Sequence, residues 1–249
     1  YMVSHNRRVV ERAHKHRVMI DAHEPIKPTG IRRTYPNMMT REGIRGMEYN
    51  AWSKGNPPRH HTILPFTRFL AGPADYTPGI FDILLQEQHE KRKKLVSKEN
   101  LKNRVHTTLA KQLALFVVFY SPLQMASDLV ENYKSHAAFK FIEDVPVDWE
   151  ETRVLNGEIG QYITIARKDR HSEEWYIGSI TNDKARSFTL SCSFLEAGSH
   201  YKAEIYRDGK TAHWEKNPTP YAVDTLDDIR KGTDIQVKMA PGGGAAIRL

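Results

Sequence analysis

The chain has 249 residues, room for one large or two ordinary domains, and its 39% apolar and 10% aromatic content can fill a core, which excludes wholesale disorder. The longest apolar run, Leu113–Tyr120, falls far short of the ~18 residues that a membrane helix needs. The net charge of +7 comes largely from clusters such as His89-Glu-Lys-Arg-Lys-Lys94. That run reads as a solvated helix face, and no finger, recognition-helix or ribonucleoprotein signature accompanies it to suggest nucleic-acid binding.

The chain opens directly on an amphipathic pattern with no signal-peptide composition, so we expect it to begin inside a fold whose front part is absent. Val3, Val9, Val10 and Ala13 recur near helical spacing over residues 3–16, with Ser4 as the expected N-cap. Arg17–Ala22 reads as a buried strand. The following loop, to Tyr49, is long, contains Pro25, Pro28, Gly30, Pro36, Gly43 and Gly46, and allows a short helical turn around 40–48. Asn56–His61 reads as a turn, Ile63–Leu70 as a strand and Ala71–Gly79 as a second turn-rich loop. A helix is expected from Thr107 to Phe116, a third loop over Ser121–Asp128, and another helix over Leu129–Phe141. Helix, strand and long loop thus alternate up to about residue 145, as in a parallel α/β arrangement.

Near Pro146 the pattern changes. Alternating segments follow at Thr152–Leu155, Gln161–Arg167, Glu174–Thr181, Ser187–Phe194, Tyr201–Arg207, Ile235–Met239 and Ala245–Leu249, and turns such as Asn182-Asp183 and Asp208-Gly209 separate several of them. This spacing predicts an antiparallel β-sandwich of about 100 residues. Trp175, Tyr176, Phe188 and Phe194 read as core rather than as a ligand platform. The single cysteine, Cys192, excludes a disulfide framework and a cysteine-rich zinc site, and its place in an alternating strand predicts a buried, inert thiol.

The candidate chemistry lies between Asp21 and Tyr49, where Glu24, Glu42 and Glu48 follow a strand in a polar loop. A structureless loop beyond ~15 residues is usually functional, and strand ends are where α/β sheets and barrels keep their sites. Carboxylates converging there suit either of two tasks. They hold a hard divalent cation such as Ca²⁺, or they cleave a glycosidic bond, one as acid and one activating water. His23-Glu24 starts like the zinc motif H-E-x-x-H, but Lys27 stands where the second histidine belongs. There is no G-x-S-x-G elbow, phosphate loop or dinucleotide fingerprint.

Several longer motifs go beyond spacing. His23–Gly30 (HEPIKPTG), Arg33–Asn37 (RTYPN), Arg41–Tyr49 (REGIRGMEY), Leu64–Arg68 (LPFTR), Ala71–Gly79 (AGPADYTPG), Ser121–Met125 (SPLQM) and Leu155–Ile163 (LNGEIGQYI) resemble glycoside hydrolase family 97, in order and over essentially the whole chain. The resemblance implies an N-terminal β-super-sandwich, a (β/α)₈ barrel and a C-terminal β-sandwich. This chain would carry the C-terminal half of the barrel, residues 1–145, and the whole sandwich, residues 146–249. The length agrees, since a barrel typically needs ~250 residues.

The resemblance also implies roles. Inverting, α-glucosidase-like members carry a glutamate at the position of Glu24 as general base, with a second glutamate upstream. Retaining, α-galactosidase-like members have glycine there and an aspartate nucleophile earlier in the barrel. Glu24 therefore points to inversion. Glu48 resembles the general acid, while Glu24, Glu42 and Glu48 resemble Ca²⁺ ligands, a further ligand being supplied by the N-terminal domain. His23 and Arg68 are candidates for sugar-hydroxyl contacts or, equally, for bracing the carboxylates. The expected partner is an α-linked oligosaccharide together with the rest of the same fold, with neither nucleic acid nor a membrane involved. The compartment implied is periplasmic or secreted. The sandwich is expected to brace the barrel, carbohydrate binding being the alternative.

Overall fold

The computed structural model describes residues 1–85, 103–134 and 136–249; the basic run His89–Lys94 lies outside the described residues. The N-terminal helix is Met2–Lys15, and Arg12, His14 and Lys15 in its last turn suit the negative end of its dipole. Its N-cap is Tyr1 rather than Ser4, with no side-chain cap. Val10 is its buried residue.

Strand β1 (Ile20–Ala22) pairs in parallel with β2 (Met38–Arg41), with Ile20 opposite Met38 and Ala22 opposite Arg41. The crossover between them holds a short helix, Ile31–Thr34. The parallel register places Asp21, His23 and Glu24 at the carboxyl end of β1, beside Arg41 and Glu42 at the carboxyl end of β2.

Ile63–Leu70 is not the expected strand. It forms two 3₁₀ turns, Leu64–Phe66 and Arg68–Ala71, closed by bonds three residues apart such as Phe66 N to Ile63 O at 3.1 Å. Pro65 has no N–H for a ladder, and the Thr67 hydroxyl donates back to Ile63 O at 3.0 Å, so the local bonds win. The helix expected over Leu129–Phe141 is broken in two, Val130–Tyr133 and Phe139–Asp144. The Tyr133 hydroxyl donates to Gly79 O at 2.8 Å and its ring stacks on Phe139 at 4.8 Å, contacts that tie the first piece to the loop before it and to the second piece.

The second half is a β-sandwich of eight antiparallel strands: β3 (Trp149–Glu158), β4 (Tyr162–Asp169), β5 (Trp175–Thr181), β6 (Arg186–Ser191), β7 (Tyr201–Asp208), β8 (Tyr221–Ile229), β9 (Asp234–Met239) and β10 (Gly244–Arg248). Six of them form one sheet in the order β3-β4-β5-β10-β7-β8, and β6 and β9 form the other. Between the sheets lies a core that includes Trp175, Ile177, Cys192, Phe194, Ile235 and Ile247. Burial pushes the Cys192 thiol up to about 11, so it is not a nucleophile at neutral pH.

The outer face of the six-stranded sheet is covered as well. The helix Leu109–Val118, N-capped by the Thr108 hydroxyl, is buried along its entire length and packs on β4, β5, β7 and β10. Its leucines and valines share a core with Ile163, Ile165, Tyr176, Ile180 and Tyr206 of the sheet and with Phe141. The approach is close: a Cβ added at Gly178 would lie 2.6 Å from Ala114 O. Such a helix, buried all round, shows no single apolar stripe. It carries a buried lysine, Lys111, whose ammonium donates to Pro58 O at 3.1 Å and Thr181 O at 2.7 Å. Among the described residues no helix is long and apolar enough to cross a membrane.

Candidate active site

A cavity of about 620 Å³ opens where β1 and β2 end, and His23, Glu42, Glu48, Trp52, Asp75, Tyr76 and Thr77 are among the residues that line it. Each side chain arrives by a definite route. Glu42 follows β2 directly, with its amide bonded to Ala22 O at 2.9 Å. Glu48 is the residue before the helix Tyr49–Trp52, and the loop leading to it is pinned from below. The Asn56 amide donates to Gly46 O at 2.9 Å and Met47 N donates to Tyr76 O at 2.9 Å. Under that loop His61 and the Tyr76 hydroxyl hydrogen-bond at 2.5 Å; full burial holds the imidazole well below its ordinary pKa and therefore neutral. The Trp52 ring, 4.2 Å from that of Tyr49, gives the wall an aromatic face of the kind that suits a sugar ring.

The expected glutamates are only partly brought together. Glu42 and Glu48 face the same cavity, whereas Glu24 is exposed and is not among the lining residues. Glu24 has φ +43°, a left-handed conformation uncommon for a residue with a side chain, and its N–H points at Glu42 Oε2 at 3.4 Å. Arg68 lies beneath the site rather than in it. Its Nη2 donates to Arg41 O, Glu42 O and Pro73 O at 2.9–3.0 Å and its Nη1 to Gly72 O at 3.1 Å, so the fork is spent on backbone at the end of β2. No carboxylate is among these hydrogen-bond partners; Arg68 holds the backbone on either side of the site, the carbonyl of Glu42 included. His23 does line the cavity, and its Nε2 lies 2.8 Å from Asp75 Oδ2.

Asp75 and Asp21 are the residues that motif reading missed as site members. Asp75 is buried (3% exposed) and receives a second bond from the Thr77 hydroxyl at 2.8 Å. Asp21 has a buried Oδ1 without a partner; burial and then the neighbouring Asp75 carboxylate push its pKa up to about 7. The hydrogen bond to Asp75 raises the pKa of His23. The sequence signal for Asp21 was an acid in what read as a buried strand, Arg17–Ala22; the strand observed is only Ile20–Ala22 and is half-buried, though the Asp21 Oδ1 atom itself is buried.

Among the described residues, Asp21, His23 and Asp75 form the set of three metal-capable side chains whose ligand atoms lie within 4.8 Å of one another; Glu24, Glu42 and Glu48 do not. The imidazole of His23 suits a softer metal than Ca²⁺. The carboxylate oxygens of Glu42 and Glu48, both lining the cavity, fit Ca²⁺ by donor type.

With this geometry in place, comparison with known proteins identifies the class. The model described as "Glycoside hydrolase 97" matches residues 1–44, and that described as "Glycosyl-hydrolase 97 C-terminal, oligomerisation" matches residues 148–249. The chain belongs to glycoside hydrolase family 97. A retaining alpha-galactosidase of Bacteroides thetaiotaomicron is 35% identical over 256 residues, covering 100% of this chain and 36% of the relative. A solved family 97 enzyme from Pseudoalteromonas sp. strain K8, in complex with panose, is 46% identical at a TM-score of 0.86, covering 96% of this chain and 36% of that one. The same enzyme with acarbose matches at 47% identity with the same TM-score and coverage. A beta-arabinopyranosidase, 20% identical with a TM-score of 0.77 over 97% of this chain and 36% of its own, shares the fold. The chain thus spans about a third of the length of these relatives.

Proposed function

We propose that this chain serves in a glycoside hydrolase that cleaves terminal α-glucosidic bonds with inversion and depends on Ca²⁺. The observation that carries the reading is that Glu42 and Glu48 share one aromatic-walled cavity at the carboxyl ends of parallel strands, with Glu24 one residue beyond the cavity-lining His23. β1, β2 and the helices around them are read as part of a (β/α)₈ barrel whose remainder lies elsewhere in the protein.

In this mechanism Glu48, at the cavity mouth, protonates the leaving oxygen. Glu24, assigned on the family resemblance, takes the proton from an attacking water, aided by a second glutamate that this chain does not carry. Inversion needs acid and base about 6.5–9.5 Å apart, so that water fits beneath the sugar. Glu42 and Glu48, with Glu24, are the residues we assign to Ca²⁺; when bound, the ion supplies positive charge against which sugar and carboxylates are oriented. His23 contacts a sugar hydroxyl. Export to the periplasm or medium is part of the proposal on family grounds alone. By itself the 249-residue chain is expected to turn nothing over.

A retaining α-galactosidase-like activity is the second reading, supported by the name of the 35%-identical relative. Two facts favour the first: Glu24 stands where the retaining branch has glycine, and the structures holding panose and acarbose are 46% and 47% identical. The sandwich is assigned to bracing, because its six-stranded sheet shares a core with the helix Leu109–Val118. The test is hydrolysis of an aryl α-glucoside by the protein in its whole length, followed by proton NMR. β-Glucose appearing first supports inversion; α-glucose first, or cleavage of the α-galactoside alone, overturns it.

A further inference from the structure

We propose that Asp75, locked by Thr77, is a positioning residue that fixes the tautomer and orientation of His23, so that the cavity meets His23 through Nδ1. The inference rests on the glycosidase reading for its purpose, but its geometry stands apart from it. His23 is 47% exposed on its side chain and would be free to turn on a loop just beyond β1. It is held instead by one contact, Nε2 to Asp75 Oδ2 at 2.8 Å, and no other hydrogen bond to its ring is found among the described residues. A carboxylate accepts only, so Nε2 carries the proton. Nδ1 is left as the ring nitrogen open to a ligand.

Asp75 is well suited to this task. It is 3% exposed, so its carboxylate cannot swing away. Its other oxygen, Oδ1, accepts from Thr77 Oγ1 at 2.8 Å, and its backbone N–H donates to Arg41 O at 3.1 Å, tying the residue to the end of β2. Thr77 adopts φ +57° to do this. A β-branched residue in that region is a genuine outlier. The chain Thr77–Asp75–His23 follows the logic of an acid that orients an imidazole for work at its other nitrogen. In the glycosidase that work is a hydrogen bond between Nδ1 and a sugar hydroxyl.

The experiment reads His23 directly, in the whole-length protein labelled with ¹⁵N-histidine, by long-range ¹H–¹⁵N correlation, with the His23→Gln spectrum identifying its signals. Expected is a protonated Nε2 with an unprotonated Nδ1 at alkaline pH, where the ring is neutral. Thr77→Val, which removes a hydroxyl and keeps the shape, should move His23 towards a mixture of tautomers. Thr77→Ser should restore the single tautomer, and Asp75→Asn should abolish it. An Nδ1–H tautomer in the unaltered chain, or spectra indifferent to both Thr77→Val and Asp75→Asn, overturns the proposal. In the whole-length protein Asp75→Asn should raise KM for the α-glucoside up to about tenfold, the worth of one hydrogen bond, with a smaller change in kcat. Unchanged kinetics despite an altered tautomer would refute the substrate role while leaving the glycosidase reading intact. Absence of any α-glucosidase activity would refute that reading while the NMR result still decided the tautomer.

Discussion

Replacing Lys111 with methionine tests the account of the helix–sandwich junction. Burial, opposed by the attraction of Asp208 and Asp183, pushes the Lys111 ammonium down from 10.5 to about 7. The unfolded chain therefore holds this proton up to about pH 10.5 and the folded one only to about pH 7. Between those values the unfolded state binds more protons, so stability rises with pH. The whole interval is worth about 5 kcal/mol at 1.36 kcal/mol per pH unit, present as a cost below pH 7 and relieved above pH 10.5. A methionine side chain does not titrate, so the variant lacks this dependence. Removing the ammonium also removes the smallest of the influences that draw the pKa of Asp208 downward, behind its hydrogen bonds from Thr108, Ala240 and Gly244, a change of the same sign above neutrality. Urea unfolding of both chains at pH 7, 8 and 9 should show the original gaining about 2 kcal/mol on Lys111→Met across that range. Parallel pH profiles would refute the reasoning, because they would mean that Lys111 has water or a counter-ion where the structure places two carbonyls.

Three further outcomes are expected. Arg68→Lys replaces a fork spanning four carbonyls with a point charge and should lower stability by about 2–3 kcal/mol, read as a shift of the urea midpoint. Gly178→Ala should cost about 1–3 kcal/mol, because its methyl group would press on Ala114 O and Val117; an unchanged melting temperature would contradict the close helix–sheet contact. Chelation of Ca²⁺ from the whole-length protein should cut α-glucoside turnover at least about tenfold, reversed by Ca²⁺ but not by Mg²⁺, and an indifferent rate would remove the metal from the proposal.

The sandwich was legible because most of its strands obey local rules. β9 alternates buried and exposed residues, β6 alternates exposed ones with half-buried or buried ones, and turn residues separate the segments. β8 escaped notice: Asp224, Asp227 and Asp228 make it read as loop, and its place at the sheet edge, paired only with β7, is what lets a strand carry so much charge. β5 is buried at every residue because helix and second sheet cover both its faces, a fact of tertiary packing. At the site, motif reading grouped Glu24, Glu42 and Glu48 with His23 and Arg68, and of these His23, Glu42 and Glu48 line the cavity. It could not show that Glu24 turns outward through a positive φ, or that Arg68 is consumed by carbonyls, since both depend on how loops cross. Asp75 was hidden for the same reason, lying 52 residues from the histidine it holds.

The helix Leu109–Val118 joins what the change of pattern near Pro146 separates. Cut ahead of Trp149, the sandwich would present Ile163, Ile165, Tyr176, Ile180 and Tyr206 to water. That is an oily slab, apt to seek another copy of itself. A gene fusion that borrowed the sandwich alone would have to borrow this helix with it, or supply another apolar cover for the same face.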